Sequence, residues 1–97
     1  MNKRDLIQRF ATGQKGSNQH AQCVNNILTL YNTDIVKVDK SGITLNSGGW
    51  ETVTTKSYIN MALEALGSSW VLVQRDSIWY LMKNDNERIK FRDGMTI

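Results

Sequence analysis

Cysteine, histidine and proline are nearly missing from this chain of 97 residues: it has one Cys, one His and no Pro. Cys23 alone cannot close an intramolecular disulfide, which excludes a disulfide-stapled secreted scaffold and suits a reducing cytoplasm. His20 is the sole candidate base for a Ser or Cys nucleophile, and His20 with Cys23 falls short of the ligand set a zinc site needs. Without Pro, chain reversals fall to Gly, Asn, Asp and Ser. No run approaches the roughly 18 apolar residues of a membrane span. The basic start MNKRDLIQRF lacks the apolar stretch of a signal peptide. Neither GxGxxG nor GxxxxGK[ST] occurs, so neither phosphate cradle is present. These absences point away from an enzyme, a cofactor, a metal centre and a membrane partner.

Charge is present but unevenly placed. The formal net charge is +3, which excludes an acidic DNA mimic and falls short of a histone-like DNA coater. Lys3, Arg4, Arg9 and Lys15 stand against Asp5 alone in the first 20 residues. Residues 21–97 hold eight bases and eight acids. The whole excess therefore sits at the N-terminal end.

Apolar periodicity then divides the chain. Asn2 is placed to cap a short helix over about 3–12, with Asp5 in its first turn and Leu6, Ile7 and Phe10 on one face. Gly13 and Gly16 flank a polar loop. This gives a basic helix and loop at 1–16 and a compact domain at 17–97. Residues 19–32 fit either a helix, with Ala21, Val24, Ile27, Leu28 and Tyr31 on one face, or a hairpin turning at Asn25-Asn26. The hairpin is favoured, because Asn tolerates positive φ and disfavours helix. Ile35 to Val38, a turn at Asp39–Gly42 and Ile43–Asn46 read as a second hairpin. The best helix lies at about 55–66, with Thr54 as N-cap, Val53 and Tyr58 at staple spacing, Ile59, Ala62, Leu63 and Leu66 on one face, and Gly67 closing it. Trp70–Arg75, Ile78–Met82 and a segment through Ile89 and Phe91 complete the pattern, with turns at Asp76-Ser77 and 84–86. The expected fold is α+β: an antiparallel sheet of about five to seven short strands, one main helix between hairpins and a short N-terminal helix.

One segment resembles a known family. Ile43-Thr44-Leu45-Asn46-Ser47-Gly48-Gly49-Trp50-Glu51-Thr52-Val53-Thr54-Thr55-Lys56, followed by Ile59-Asn60, is similar to a pattern in small uncharacterised bacteriophage and prophage proteins. There a strand ends in Gly-Gly-aromatic and Thr-x-Thr-Thr-Lys opens a helix carrying Asn. Leu30–Val36, Val73-Gln74, Trp79, Phe91 and Asp93-Gly94-Met95 also fit, so the resemblance covers residues 26–97 and leaves 1–16 outside. It implies a phage origin and a fold in a bacterial host cytoplasm, and no reaction.

Three binding signals remain. Thr54, Thr55 and Lys56 open a helix after two glycines, where an anion is favoured; the plainer reading is a capped helix with a solvated Lys. Trp50, Trp79 and Tyr80 are candidate contact aromatics, although most aromatics in so small a protein fill the core. Trp79 and Tyr80 are neighbours on a strand and so face opposite ways. Lys3, Arg4, Arg9 and Lys15 can reach phosphates, against the plainer reading of a solvated helix face. The expected function is a phage-encoded accessory protein that binds a host protein, as an anti-defence or host-takeover factor. The alternative is a small nucleic-acid-binding module using the basic arm and the helix start at Thr54–Lys56. A homodimer is open through the two-sided apolar strand 78–82.

Overall fold

The computed structural model describes every residue except Asp85, so the part of the 84–86 turn that falls on Asp85 lies outside the described residues. In chain order the elements are α1 (Lys3–Ala11), β1 (Gly16–Ser17), β2 (Ala21–Val24), β3 (Ile27–Leu30), β4 (Thr33–Asp39), β5 (Gly42–Leu45), α2 (Val53–Ala65), β6 (Trp70–Arg75), β7 (Ile78–Lys83), β8 (Glu87–Lys90) and β9 (Met95–Thr96). The α+β class holds. All pairings are antiparallel, in a six-stranded sheet β1-β2-β3-β4-β5-β9 and a three-stranded sheet β6-β7-β8. Among the described residues, nine strands in two sheets replace the five to seven expected. The additional two, β1 and β9, are two-residue strands that have no apolar alternation to announce them.

Three turns join strands through two residues that are both in the left-handed region: Asn25-Asn26 (φ 52° and 65°), Tyr31-Asn32 (47° and 70°) and Asp76-Ser77 (51° and 67°). This is the turn whose twist matches a hairpin. Residues 19–32 are accordingly a hairpin, and β3 ends at Leu30 because the chain reverses a second time at Tyr31. In β4 the register skips Ile35 between the pairs Leu28↔Val36 and Thr29↔Asp34. That bulge turns both Ile35 and Val36 into the core, where strict alternation would bury only one.

The main helix begins two residues earlier than its periodicity indicates. Thr52 is the N-cap: its backbone is extended (φ −102°, ψ 163°) and its hydroxyl accepts from the Thr55 N–H. Val53 is then the first helical residue and stands 76% exposed, so the staple with Tyr58 does not form. At the other end, the N–H groups of Gly67 and Ser68 donate to Glu64 and Leu63, as expected of a helix closed by glycine.

Helix α2 holds the molecule together. Its buried Tyr58, Ile59, Ala62 and Leu63 join one cluster with residues of both sheets: Leu28, Ile35, Val36 and Leu45 from the larger, and Leu72, Trp79 and Leu81 from the smaller. The Asn60 side chain hooks the two layers. Its Oδ1 accepts from the Leu72 N–H at 2.7 Å and its Nδ2 donates to the Leu72 carbonyl at 2.9 Å. Leu6, Ile7 and Phe10 of α1 lie in the same cluster, at 0–2% exposure, and α1 packs on α2, β1 and β2. The basic segment 1–16 therefore supplies part of the core of the body at 17–97.

Candidate functional site

The residues between β5 and α2 follow from a few short-range constraints. Buried Ser47 donates its N–H and its hydroxyl to the same oxygen, Asp93 Oδ1, at 2.7 and 2.8 Å. The Ser47 hydroxyl also accepts from the Gly49 N–H, and Asn46 Oδ1 accepts from the Gly48 N–H. Gly48 sits at φ +66°, and a Cβ there would lie 2.7 Å from the Thr33 side chain. The loop is thus pinned to β4 on one side and to the β8–β9 connection on the other. Trp50 projects from it, 69% exposed.

The turn after β3 lines a cleft together with Trp50. Tyr31 is 62% exposed and sits at φ 47°, unusual for an aromatic residue and a local cost of the kind that collects at functional sites. Its hydroxyl meets His20 Nδ1 at 2.9 Å, and the two rings are 5.3 Å apart. His20 therefore acts as a strut for Tyr31.

Between these two aromatics opens a cleft of about 480 Å³. Leu30, Ile35, Thr33, Ser47, Thr52, Thr54 and Thr55 line it with them. No lining side chain carries a charge at neutral pH. The cleft offers apolar contact, two aromatic surfaces and neutral hydrogen-bonding groups. That chemistry suits an uncharged or apolar side chain of a partner.

Of the sequence-derived residues, the structure brings Trp50, Thr54 and Thr55 together here. Thr55 is buried and its hydroxyl lies 3.1 Å from that of Thr52. Lys56 is not part of the lining, and its N–H donates to the Thr52 carbonyl. Trp79 is a core residue, 2% exposed and edge-on to Phe91, with its buried Nε1 unpartnered. Tyr80 lies on the opposite face of the same strand, half-buried under the Arg88 guanidinium, 4.8 Å from its ring centre. Lys3 donates to Ser57 Oγ at 2.5 Å and stands 4.4 Å over the Tyr58 ring, and burial pushes its ammonium pKa down. Arg4 lines a groove with Glu64. Arg9 donates to the Lys15 carbonyl at 3.2 Å. Lys3 and Arg4 thus meet α2 at different places, while Arg9 turns to the backbone of Lys15. Tyr31 is the site residue that sequence reasoning placed inside a strand; the Tyr-Asn pair was its one signal of a turn.

Among the described residues no three of His, Cys, Asp and Glu gather as metal ligands, and no helix is long and apolar enough to cross a membrane. Cys23 is buried, with Sγ 3.3 Å from the Gln14 carbonyl oxygen. Burial pushes its thiol pKa up, against smaller opposing effects from a Gly16 backbone hydrogen bond and from Arg9.

The family model described as Kyanoviridae Gp96 protein matches residues 5–97. The match takes in α1 from Asp5 onward, so the family pattern extends well beyond the 26–97 of the sequence resemblance. No curated protein and no solved structure matches the chain.

Proposed function

The chain belongs to the Kyanoviridae Gp96 family of phage proteins, and from that premise we propose that it is a non-enzymatic accessory protein that binds a host protein in the bacterial cytoplasm. An anti-defence or host-takeover inhibitor is the role this reading favours. The observation that carries it is the pair Trp50 and Tyr31, both mostly exposed, on either side of a cleft without charged lining. Trp and Tyr dominate the energetics of protein interfaces, especially beside a preformed pocket. The loop that presents Trp50 is held by Ser47, Asp93 and Thr33, so little order has to be gained on binding.

The test is affinity capture from host lysate, with nuclease and at raised salt, using the full chain and its Trp50→Ala and Tyr31→Ala variants. A host protein retained by the parent and lost by both variants supports the reading. A partner retained equally by all three, or lost on nuclease treatment, overturns it.

A further inference from the structure

The three-stranded sheet has one covered face and one open one. Leu72, Trp79 and Leu81 point into the core. The opposite face is set by register: Val71 pairs with Met82 and Met82 with Arg88, Val73 with Tyr80 and Tyr80 with Lys90, and Arg75 with Ile78. These eight outward positions hold five apolar or aromatic residues, three cations and no acid. Glu87, the one acid on β8, pairs with Lys83 in register and so belongs to the covered side. Val71 is 50% exposed, and Arg75, Arg88 and Lys90 are exposed.

We propose that this open face binds single-stranded nucleic acid, with Arg75, Arg88 and Lys90 on the phosphates and the Tyr80–Arg88 pair receiving a base. Charge decides against a second copy of this chain, since a face-to-face dimer would bring six cations together with no acid at the outward strand positions of either copy. Size favours an extended chain: strands of six residues span about 20 Å and three strands about 10–14 Å, a flat footprint of roughly 250 Å². A few nucleotides fit that area. The chemistry agrees: the Arg88 guanidinium stands 4.8 Å over the Tyr80 ring centre, and Tyr rings and Arg guanidinium groups are sequence-tolerant partners of bases in single-strand recognition. This face is separate from the Trp50–Tyr31 cleft and does not depend on it.

The experiment is fluorescence anisotropy of a labelled 12-mer of oligothymidylate and of a 12-base-pair duplex with the full chain, alongside labelled polyglutamate. Three phosphate contacts to a single strand give a log–log salt slope near −2, about 20-fold weaker binding from 50 to 200 mM salt. The variant Arg75→Gln/Arg88→Gln/Lys90→Gln is expected to lose at least tenfold in affinity and most of the salt slope. Tyr80→Leu, which keeps an apolar side chain, is expected to lose about fivefold. Lys3→Gln/Arg4→Gln/Arg9→Gln/Lys15→Gln and Trp50→Ala are expected to bind as the parent does. Circular dichroism of each variant establishes that it is folded. Failure of the 12-mer to bind at 50 mM salt overturns the proposal. So does tighter binding of polyglutamate or of the duplex, or a folded triple variant that binds unchanged. None of these results bears on host-protein capture through the cleft.

Discussion

Asp93 accepts two hydrogen bonds on one carboxylate oxygen, both from Ser47, which lies 46 positions earlier in the chain. The pair closes the base of the loop that carries Trp50 and ties it to the connection between β8 and β9. Hydrogen bonds to a charged group contribute about 1.5–3 kcal/mol, and a buried donor left without a partner costs a similar amount. Asp93→Ala is therefore expected to lower stability by about 2 kcal/mol in urea denaturation. Ser47→Ala in the Asp93→Ala background is expected to cost less than Ser47→Ala alone, because the two share the interaction. Full additivity would mean the contact does not hold the loop.

Asn60 is expected to matter for a different reason. Both bonds its amide makes are to Leu72, in β6 at the edge of the smaller sheet. An edge strand presents unpaired backbone groups, and here a helix side chain occupies them. Asn60→Leu keeps the bulk and removes both bonds. The expected loss is about 2 kcal/mol, with faster hydrogen exchange at the Leu72 amide while Leu81, paired within the sheet, stays protected. Unchanged exchange at Leu72 would show that the hook does not close that edge.

The contrast between what was and was not legible follows from locality. Asn25-Asn26 and Asp76-Ser77 announce turns because Asn and Asp bear positive φ at small cost. Tyr31-Asn32 makes the same turn, but an aromatic at φ 47° reads as strand; only pairing with β4 and the His20 contact make that conformation hold. The start of α2 shows the same limit. The sequence reads Thr54 as the cap, with Val53 before it at staple spacing; the cap is Thr52 instead, because the position depends on where the pinned loop delivers the chain. Burial of α1 was implicit in Leu6, Ile7 and Phe10, yet its basic residues suggested an attachment. The open sheet face was hidden by arithmetic. Residues 21–97 sum to zero charge, and only strand register puts Arg75, Arg88 and Lys90 on one side and Glu87 on the other.

Cys23 gives a pH dependence whose sign can be worked out. Burial pushes its thiol above the ordinary value of 9.0 in the folded chain. Above pH 9 the unfolded chain then releases a proton that the folded chain keeps. Stability from this group is complete below that value and falls as pH rises through the folded pKa. The parent is expected to lose stability more steeply than Cys23→Ala between pH 8 and 11, measured by urea denaturation at each pH. Native Cys23 is also expected to react with a thiol-specific disulfide reagent far more slowly than in the urea-unfolded chain. Parallel pH profiles, or equal reaction rates, would contradict the buried environment.

Gly48 and Thr33 test how closely the Trp50 loop must approach β4. A Cβ on residue 48 would lie 2.7 Å from both Thr33 Cγ2 and Thr33 Oγ1, and 3.3 Å from Thr33 Cβ. The backbone there is also left-handed, at φ +66°, which costs a residue with a Cβ about 1–2 kcal/mol by itself. Gly48→Ala is therefore expected to destabilise by more than that, with the contact adding to the conformational cost. Thr33→Ala removes the two atoms in closest approach and leaves the third. In that background the cost of Gly48→Ala is expected to fall toward the conformational part, about 1–2 kcal/mol. The measurement is a double-mutant cycle by urea denaturation, with the proposed capture from host lysate read in parallel. If the cost is the same in both backgrounds, the loop does not rest on Thr33. If Thr33→Ala captures the partner and the folded Thr33→Ala/Gly48→Ala pair does not, the backbone at Gly48 sets the position of Trp50 in the cleft that it lines with Tyr31.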